Sequence, residues 1–267
     1  MMAATQSWVT TERVGDALVA TLARAPVNAI NDALLAQIEA VLDEVQSDER
    51  LSVLHIRSAQ KVFCAGADLA LIRSCVDTPQ GRNEMIAVVQ RMQRVFARLE
   101  SAECVTIAEL GGATLGGGFE LALACDLRIA ALDARIGLPE AGLGLLAAGG
   151  GTQRLTRLCG PGIARRLILG AETVDGAQAE RLGLVQWAVP RERLAEAARA
   201  LAQRCAAIPR LALSENKRCI AMAGAPRGEG YAAEIAATRR LYENTETRRR
   251  VSAFLDKSLI KPKQEQS

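Results

Sequence analysis

The stretch Val105–Leu110 (VTIAEL) is an apolar run of strand length. It leads into the glycine cluster Gly116-Gly117-Gly118, and an apolar run, FELALAC (119–125), follows at once. A strand that turns through glycine directly into a helix is the repeating piece of a parallel sheet, which needs crossover connections. Other segments repeat the pattern. Leu51–Ile56 is an apolar strand, followed by a loop, Ser58–Asp68, and a long amphipathic helix over 81–99. Asp126–Ala131 is a further strand, and 185–189 a short one. At the start, Trp8–Arg13 and Ala17–Ala23 flank Gly15-Asp16 and predict a hairpin. Asn31-Asp32 offers an N-cap for a helix over 33–46, with Leu34, Leu35, Ile38, Val41, Leu42 and Val45 on one stripe.

After Gly151 helices dominate: 152–158, 163–169, 177–181, 193–206, 211–223, 229–244 and 247–258. The reading is an α/β core over 1–190 and a helical C-terminal domain over 191–267, free to fold back or to pack on another subunit. The polar end, 261–267, is expected to fray.

Of the 267 residues, 49% are hydrophobic and 24% charged, as in a globular protein with a substantial core. A net charge of +3 gives no argument for nucleic acid and suits an anionic small ligand. The seven cysteines are scattered and none forms C-x-x-C, which predicts reduced, mostly buried thiols and a cytoplasmic location. A single histidine, His55, argues against a zinc or other metal site and disfavours Ser–His hydrolysis. Inside its strand it reads as a core or edge residue. No run of about 18 uncharged apolar residues predicts a membrane span, and the first residues resemble neither a signal peptide nor a presequence.

The chemistry concentrates between 107 and 151. Glycines that open a helix bring bare N–H groups up to a ligand oxygen. Glu120 stands in the first turn of that helix, and Glu140 follows Pro139 in a turn. A second small-residue turn, Ala65-Gly66-Ala67-Asp68, ends the neighbouring strand–loop unit. Two such turns aiming N–H groups at one oxygen form an oxyanion hole, and two carboxylates beside it suggest acid–base chemistry on a polarised carbonyl. The string Gly142-Leu-Gly-Leu-Leu-Ala147 fits a dinucleotide fingerprint in form only, because no strand closely precedes it and Gly162 stands where an acid is needed.

FCAGADL (63–69), LGGGFELALACDLRIA (115–130), GLPEAGLGLL (137–146) and GGTQRLTRLCG (150–160), with PVNAIN (26–31) and FLDK (254–257), closely resemble the crotonase, or enoyl-CoA hydratase/isomerase, superfamily. The resemblance implies an α/β spiral of ββα units, with a helical C-terminal domain that forms homotrimers, often paired as hexamers. It implies an acyl-CoA thioester substrate and no separate cofactor. By position, the Ala67 and Gly117 N–H groups would hold the thioester oxygen. Ala65, Gly66, Asp68, Leu69 and Gly116 would line the substrate path, and Phe254 and Lys257 would reach CoA.

Hydratases of this superfamily carry two glutamates, at positions matching Glu120 and Glu140. Simple enoyl isomerases typically keep only the second, so isomerase or other crotonase-type acyl-CoA chemistry is the alternative. Dienoyl isomerases, hydrolases of 3-hydroxyisobutyryl-CoA type and aryl dehalogenases place an aspartate near 148, where this chain has Ala148. The expectation is hydration of a trans-2-enoyl-CoA, or the reverse dehydration. Hydratases also often carry lysine where this chain has Ala70. One crotonase relative binds AU-rich RNA through a lysine-studded early helix, but the matching stretch 31–49 is acidic and lysine-free, so no nucleic-acid partner is expected.

Overall fold

The computed structural model describes residues 6–226 and 228–259, and the side-chain surroundings of all of these except Val76 and 256–259. The chain divides into two compact units between Ala206 and Ala207.

In the first unit, β1 (Val9–Val14) and β2 (Ala17–Leu22) form the antiparallel hairpin, with Gly15 at φ +61 in its turn. α1 (Asp32–Ser47) begins where Asn31 accepts a hydrogen bond from the Leu34 N–H, and all six stripe residues are buried. Each such side chain contributes roughly 1.5–3 kcal/mol of apolar burial. β3 (Val53–Ser58) pairs parallel with β2. α2 (Leu69–Val76) and α3 (Pro79–Glu100) follow, then β4 (Val105–Leu110), β5 (Thr114–Leu115), α4 (Gly117–Leu123), β6 (Leu127–Ala131) and β7 (Arg135–Gly137). A 3-10 turn, Pro139–Leu143, precedes α5 (Gly151–Leu169). β8 (Thr173–Asp175), α6 (Gly176–Arg181), β9 (Trp187–Val189) and α7 (Arg191–Ala206) complete the unit.

The main sheet has the order β1-β2-β3-β4-β6-β9 and is parallel except for β1. Its inner strands are buried along most of their length, which explains why they read as continuous apolar runs. A small sheet, β5-β7-β8, was not legible in the sequence, because its strands are only two or three residues long. Isolated bridges at Cys64–Thr114 and Ile30–Ala67 tie the loop after β3 to β5 and to the start of α1. The helices expected at 152–158 and 163–169 are the two arms of α5, which breaks at Gly160 (φ +77) before Pro161.

α7 packs against β2, β3, β4 and β6, so the first unit runs past residue 190 to Ala206. The second unit holds α8 (Arg210–Ala221), α9 (Glu229–Glu243) and α10 (Thr245–Leu259). Among the described residues no helix is long and apolar enough to cross a membrane. None of the seven cysteines forms a disulfide, and five of them are buried.

Candidate active site

The loop after β3 and the turn before α4 meet edge to edge. Leu115 N–H donates to the Cys64 carbonyl at 3.0 Å, and Phe63 N–H to that of Ala113 at 3.0 Å. Gly66 (φ +101) and Gly116 (φ +53) both adopt left-handed backbone, which only glycine enters without strain. A side chain on Gly118 would collide with the Cys64 carbonyl, so the approach itself requires glycine there. A Cβ on Gly117 would stand 3.5 Å from the Ala67 nitrogen. The N–H groups of Ala67 and Gly117 are therefore neighbours, although fifty positions separate them in the chain. No hydrogen bond among the described residues occupies either of them.

α4 carries Glu120 into the same place. Its side chain is buried, with residue exposure of 2%, and its Oε1 accepts a hydrogen bond from Gly151 N–H at 2.7 Å. Burial pushes its pKa up to about 7. The Gly151 hydrogen bond and the Arg154 charge pull the other way, and the Glu140 charge adds to the rise. Glu140 sits at the second position of the 3-10 turn after Pro139. Its Oε2 is buried and has no hydrogen-bond partner among the described residues, and burial raises its pKa too. A Cβ on Gly116 would lie 2.8 Å from Glu140 Oε1, so this glycine makes room for the second carboxylate.

These groups open onto one cavity of about 320 Å³. Ala67, Gly117, Glu120 and Glu140 line it, together with Ala65, Gly66 and Gly116. Leu69 and Ile72 of α2 and Met85, Val89 and Met92 of α3 form an apolar wall. Leu143, Leu145 and Leu146 are exposed at its edge, and Ala148 also lines it.

Asp68 stands outside the lining. It caps α2 by accepting from Ala70 N–H at 2.9 Å and pairs with Arg24 at 2.6 Å, which holds its carboxyl below the usual range. Phe254 lies on α10 of the second unit, 71% exposed, and the Lys257 side chain falls outside the described residues. His55 is a core residue, as expected: it is 3% exposed, with Nε2 2.9 Å from Glu109 Oε2, and does not line the cavity. Among the described residues, no group of three or more His, Cys, Asp or Glu side chains is placed to hold a metal ion. A larger groove of about 740 Å³ lies within the second unit, and its buried acid, Glu215, is paired with Arg218 and Arg240.

Sequence reasoning overlooked Met92, Gln93, Gly149, Gly151 and Arg154, all of which touch the site or its supporting turn. Gln93 donates to the Ala148 carbonyl at 2.7 Å. The second glycine triplet, Gly149–Gly151, at the start of a helix was the available signal.

A family model described as enoyl-CoA hydratase/isomerase matches residues 14–265, and the chain belongs to that family. It is 37% identical over 211 residues to a short-chain-enoyl-CoA hydratase of Clostridium acetobutylicum, covering 78% of this chain and 79% of the relative. It is also 37% identical to a crotonyl-CoA hydratase of Syntrophomonas wolfei, covering 78% and 76%. Among solved structures, an enoyl-CoA hydratase of Bacillus anthracis superposes with a TM-score of 0.88 at 30% identity, covering 94% of this chain and 97% of that one. DspI of Pseudomonas aeruginosa does so with a TM-score of 0.88 at 32% identity, covering 96% and 97%. The fold is thus the crotonase α/β spiral with C-terminal helices.

Proposed function

We propose that the protein adds water to a trans-2-enoyl-CoA, giving the 3-hydroxyacyl-CoA, and catalyses the reverse dehydration. The observation that carries this reading is the placement of one buried and one half-buried carboxyl and two unused backbone N–H groups around one apolar cavity. The names of the relatives point to the same reaction.

In this reading the thioester oxygen accepts hydrogen bonds from Ala67 and Gly117 N–H. One water sits between Glu120 and Glu140. Glu120 takes a proton from it as the oxygen bonds to Cβ, and the C=C electrons move toward the thioester oxygen as an enolate. Glu140 delivers its proton to Cα, so both additions come from the same side of the double bond. Transfer of the proton from Glu120 to Glu140 then restores the pair. Burial shifts both acids in the direction that proton exchange near neutral pH requires. The two N–H donors stabilise charge that exists only along the reaction, and one such donor is typically worth about 10²–10³ in rate. The CoA carried by the substrate is the only cofactor chemistry needed. The same reading places the enzyme in the cytoplasm as a homotrimer or a pair of trimers.

The test is crotonyl-CoA hydration, followed by the loss of the enoyl thioester's ultraviolet absorbance. Glu120→Gln and Glu140→Gln should each lose about 10²–10⁴ in kcat, the usual worth of a positioned acid or base. Wild-type rates in both variants would sink the assignment.

A further inference from the structure

We propose that Arg154 is a positioning residue: it holds the Gly149–Gly151 turn against Glu120 and keeps that carboxylate ionised, ready to accept a proton, near neutral pH. This rests on the reading of Glu120 as the base that takes the proton from water.

Arg154 lies in the first turn of α5, four residues after Gly150, and is only 8% exposed. Its Nη1 donates to the Gly149 carbonyl at 3.0 Å. On its other side, Nε and Nη2 both reach Glu100 Oε2, at 2.9 and 2.8 Å. Glu100 is the last residue of α3, and its second oxygen is held by Arg157 at 3.1 Å. The guanidinium thus bridges the end of α3 to the turn that wraps Glu120, and Gly151 N–H in that turn bonds the carboxylate directly. Gln93, also on α3, grips the Ala148 carbonyl one residue earlier. Together they pin two successive carbonyls of the turn.

A guanidinium this buried needs a reason, because removing a cation from water costs several kcal/mol before its partners compensate. Only a planar fork reaches an acceptor on each side at once, which a lysine ammonium does not. Gly150 is also bound by this arrangement, since any side chain on it would collide with the Arg154 guanidinium. The charged groups around Glu120 are Glu140, whose charge favours protonation, and Arg154, whose charge opposes it; Glu100 and Arg157 stand behind Arg154. Burial and Glu140 both push Glu120 toward its neutral form, and Arg154 is the side-chain cation that counters them.

The proposal is tested by infrared pH titration of the ligand-free enzyme. The band of the protonated carboxyl is assigned to Glu120 by its loss in Glu120→Gln. In Arg154→Gln the midpoint should rise by about 1 pH unit, the low end of what one opposite charge close to a carboxylate does. kcat/KM at pH 7 should drop about fivefold, as the ionised fraction falls with a midpoint raised by about 1 unit, and recover toward pH 8.5. Loosening of the turn alone admits water and moves the midpoint down, so a midpoint that falls or stays in place overturns the proposal. Should Arg154→Gln fail to fold, Arg154→Met carries the test, because it also removes the charge while keeping an unbranched stem. Its midpoint should likewise rise by about 1 pH unit, and a midpoint that falls or stays in place overturns the proposal. A midpoint that rises in Arg154→Gln while the acid limb of kcat/KM stays put supports the role of Arg154 and removes Glu120 as the base.

Discussion

Two oxygens of one side chain account for two of the chain's glycines. A Cβ on Gly149 would stand 2.7 Å from Glu120 Oε2, and one on Gly151 2.8 Å from Oε1. The carboxylate fits only because neither position carries a side chain. This confinement also sets its stability cost. The folded-state pKa of Glu120 is about 7, whereas an unperturbed glutamate lies near ~4.3. Between these values the folded state binds the proton and the unfolded state releases it, so stability falls as pH rises through that window and then levels off. The loss is on the order of 4 kcal/mol, at about 1.4 kcal/mol per pH unit. Glu120→Gln removes this titration. Its melting temperature relative to wild type should therefore rise from pH 5 to pH 8, measured by calorimetry. An equal difference at both pH values would contradict the buried, protonatable state.

At the scale of elements, α2 and α3 line the apolar side of the cavity, and in the proposed reaction they would limit how much acyl chain the site accepts. α4 and the 3-10 turn supply the acids, while Ile72, Met85, Val89 and Met92 supply the apolar wall. Met92 lies at the join, because its Cε falls 3.1 Å from a Cβ position on Gly149 and 3.0 Å from one on Gly117. Methionine fills such irregular space and yields to different occupants. Val89→Trp puts a large ring into the cavity from the middle of α3. It should leave crotonyl-CoA hydration within about threefold while lowering kcat/KM for an eight-carbon enoyl-CoA by about tenfold or more, since each buried CH₂ is worth ~0.8 kcal/mol. Equal losses on both substrates would show that the wall does not contact the acyl chain. α3 has a second task at its other end, where Gln93 and Glu100 anchor the turn around Glu120.

For the whole molecule, the second unit exposes several large apolar side chains. Ile220, Tyr231, Ile235 and Tyr242 are each at least 67% exposed. Clusters of this kind on soluble proteins mark interaction surfaces, in keeping with the proposed homotrimer or hexamer. Light scattering should give three or six times the chain mass of 28.4 kDa, and Ile235→Glu should shift the species to lower mass. A monomeric wild type would refute the assembly.

Much of this architecture could be read directly from residue order. The hairpin, α1 with its Asn31 cap, the parallel strands and the helical C-terminal third each follow from local periodicity and turn chemistry, which neighbours along the chain determine. Gly117, Glu120 and Glu140 were legible as site candidates because their glycine and proline turns mark them. The small sheet β5-β7-β8 escaped, since two- and three-residue strands carry no period. Asp68 was expected along the substrate path, and only packing shows it engaged by Arg24 and the start of α2. Gly149, Gly151 and Arg154 look like loop and helix residues until the tertiary structure brings α3, α4 and α5 together around one carboxylate. Sequence alone determined which groups were available for chemistry. Tertiary structure alone decided their proton affinities, because desolvation and charge pairing depend on which distant segments close over each acid.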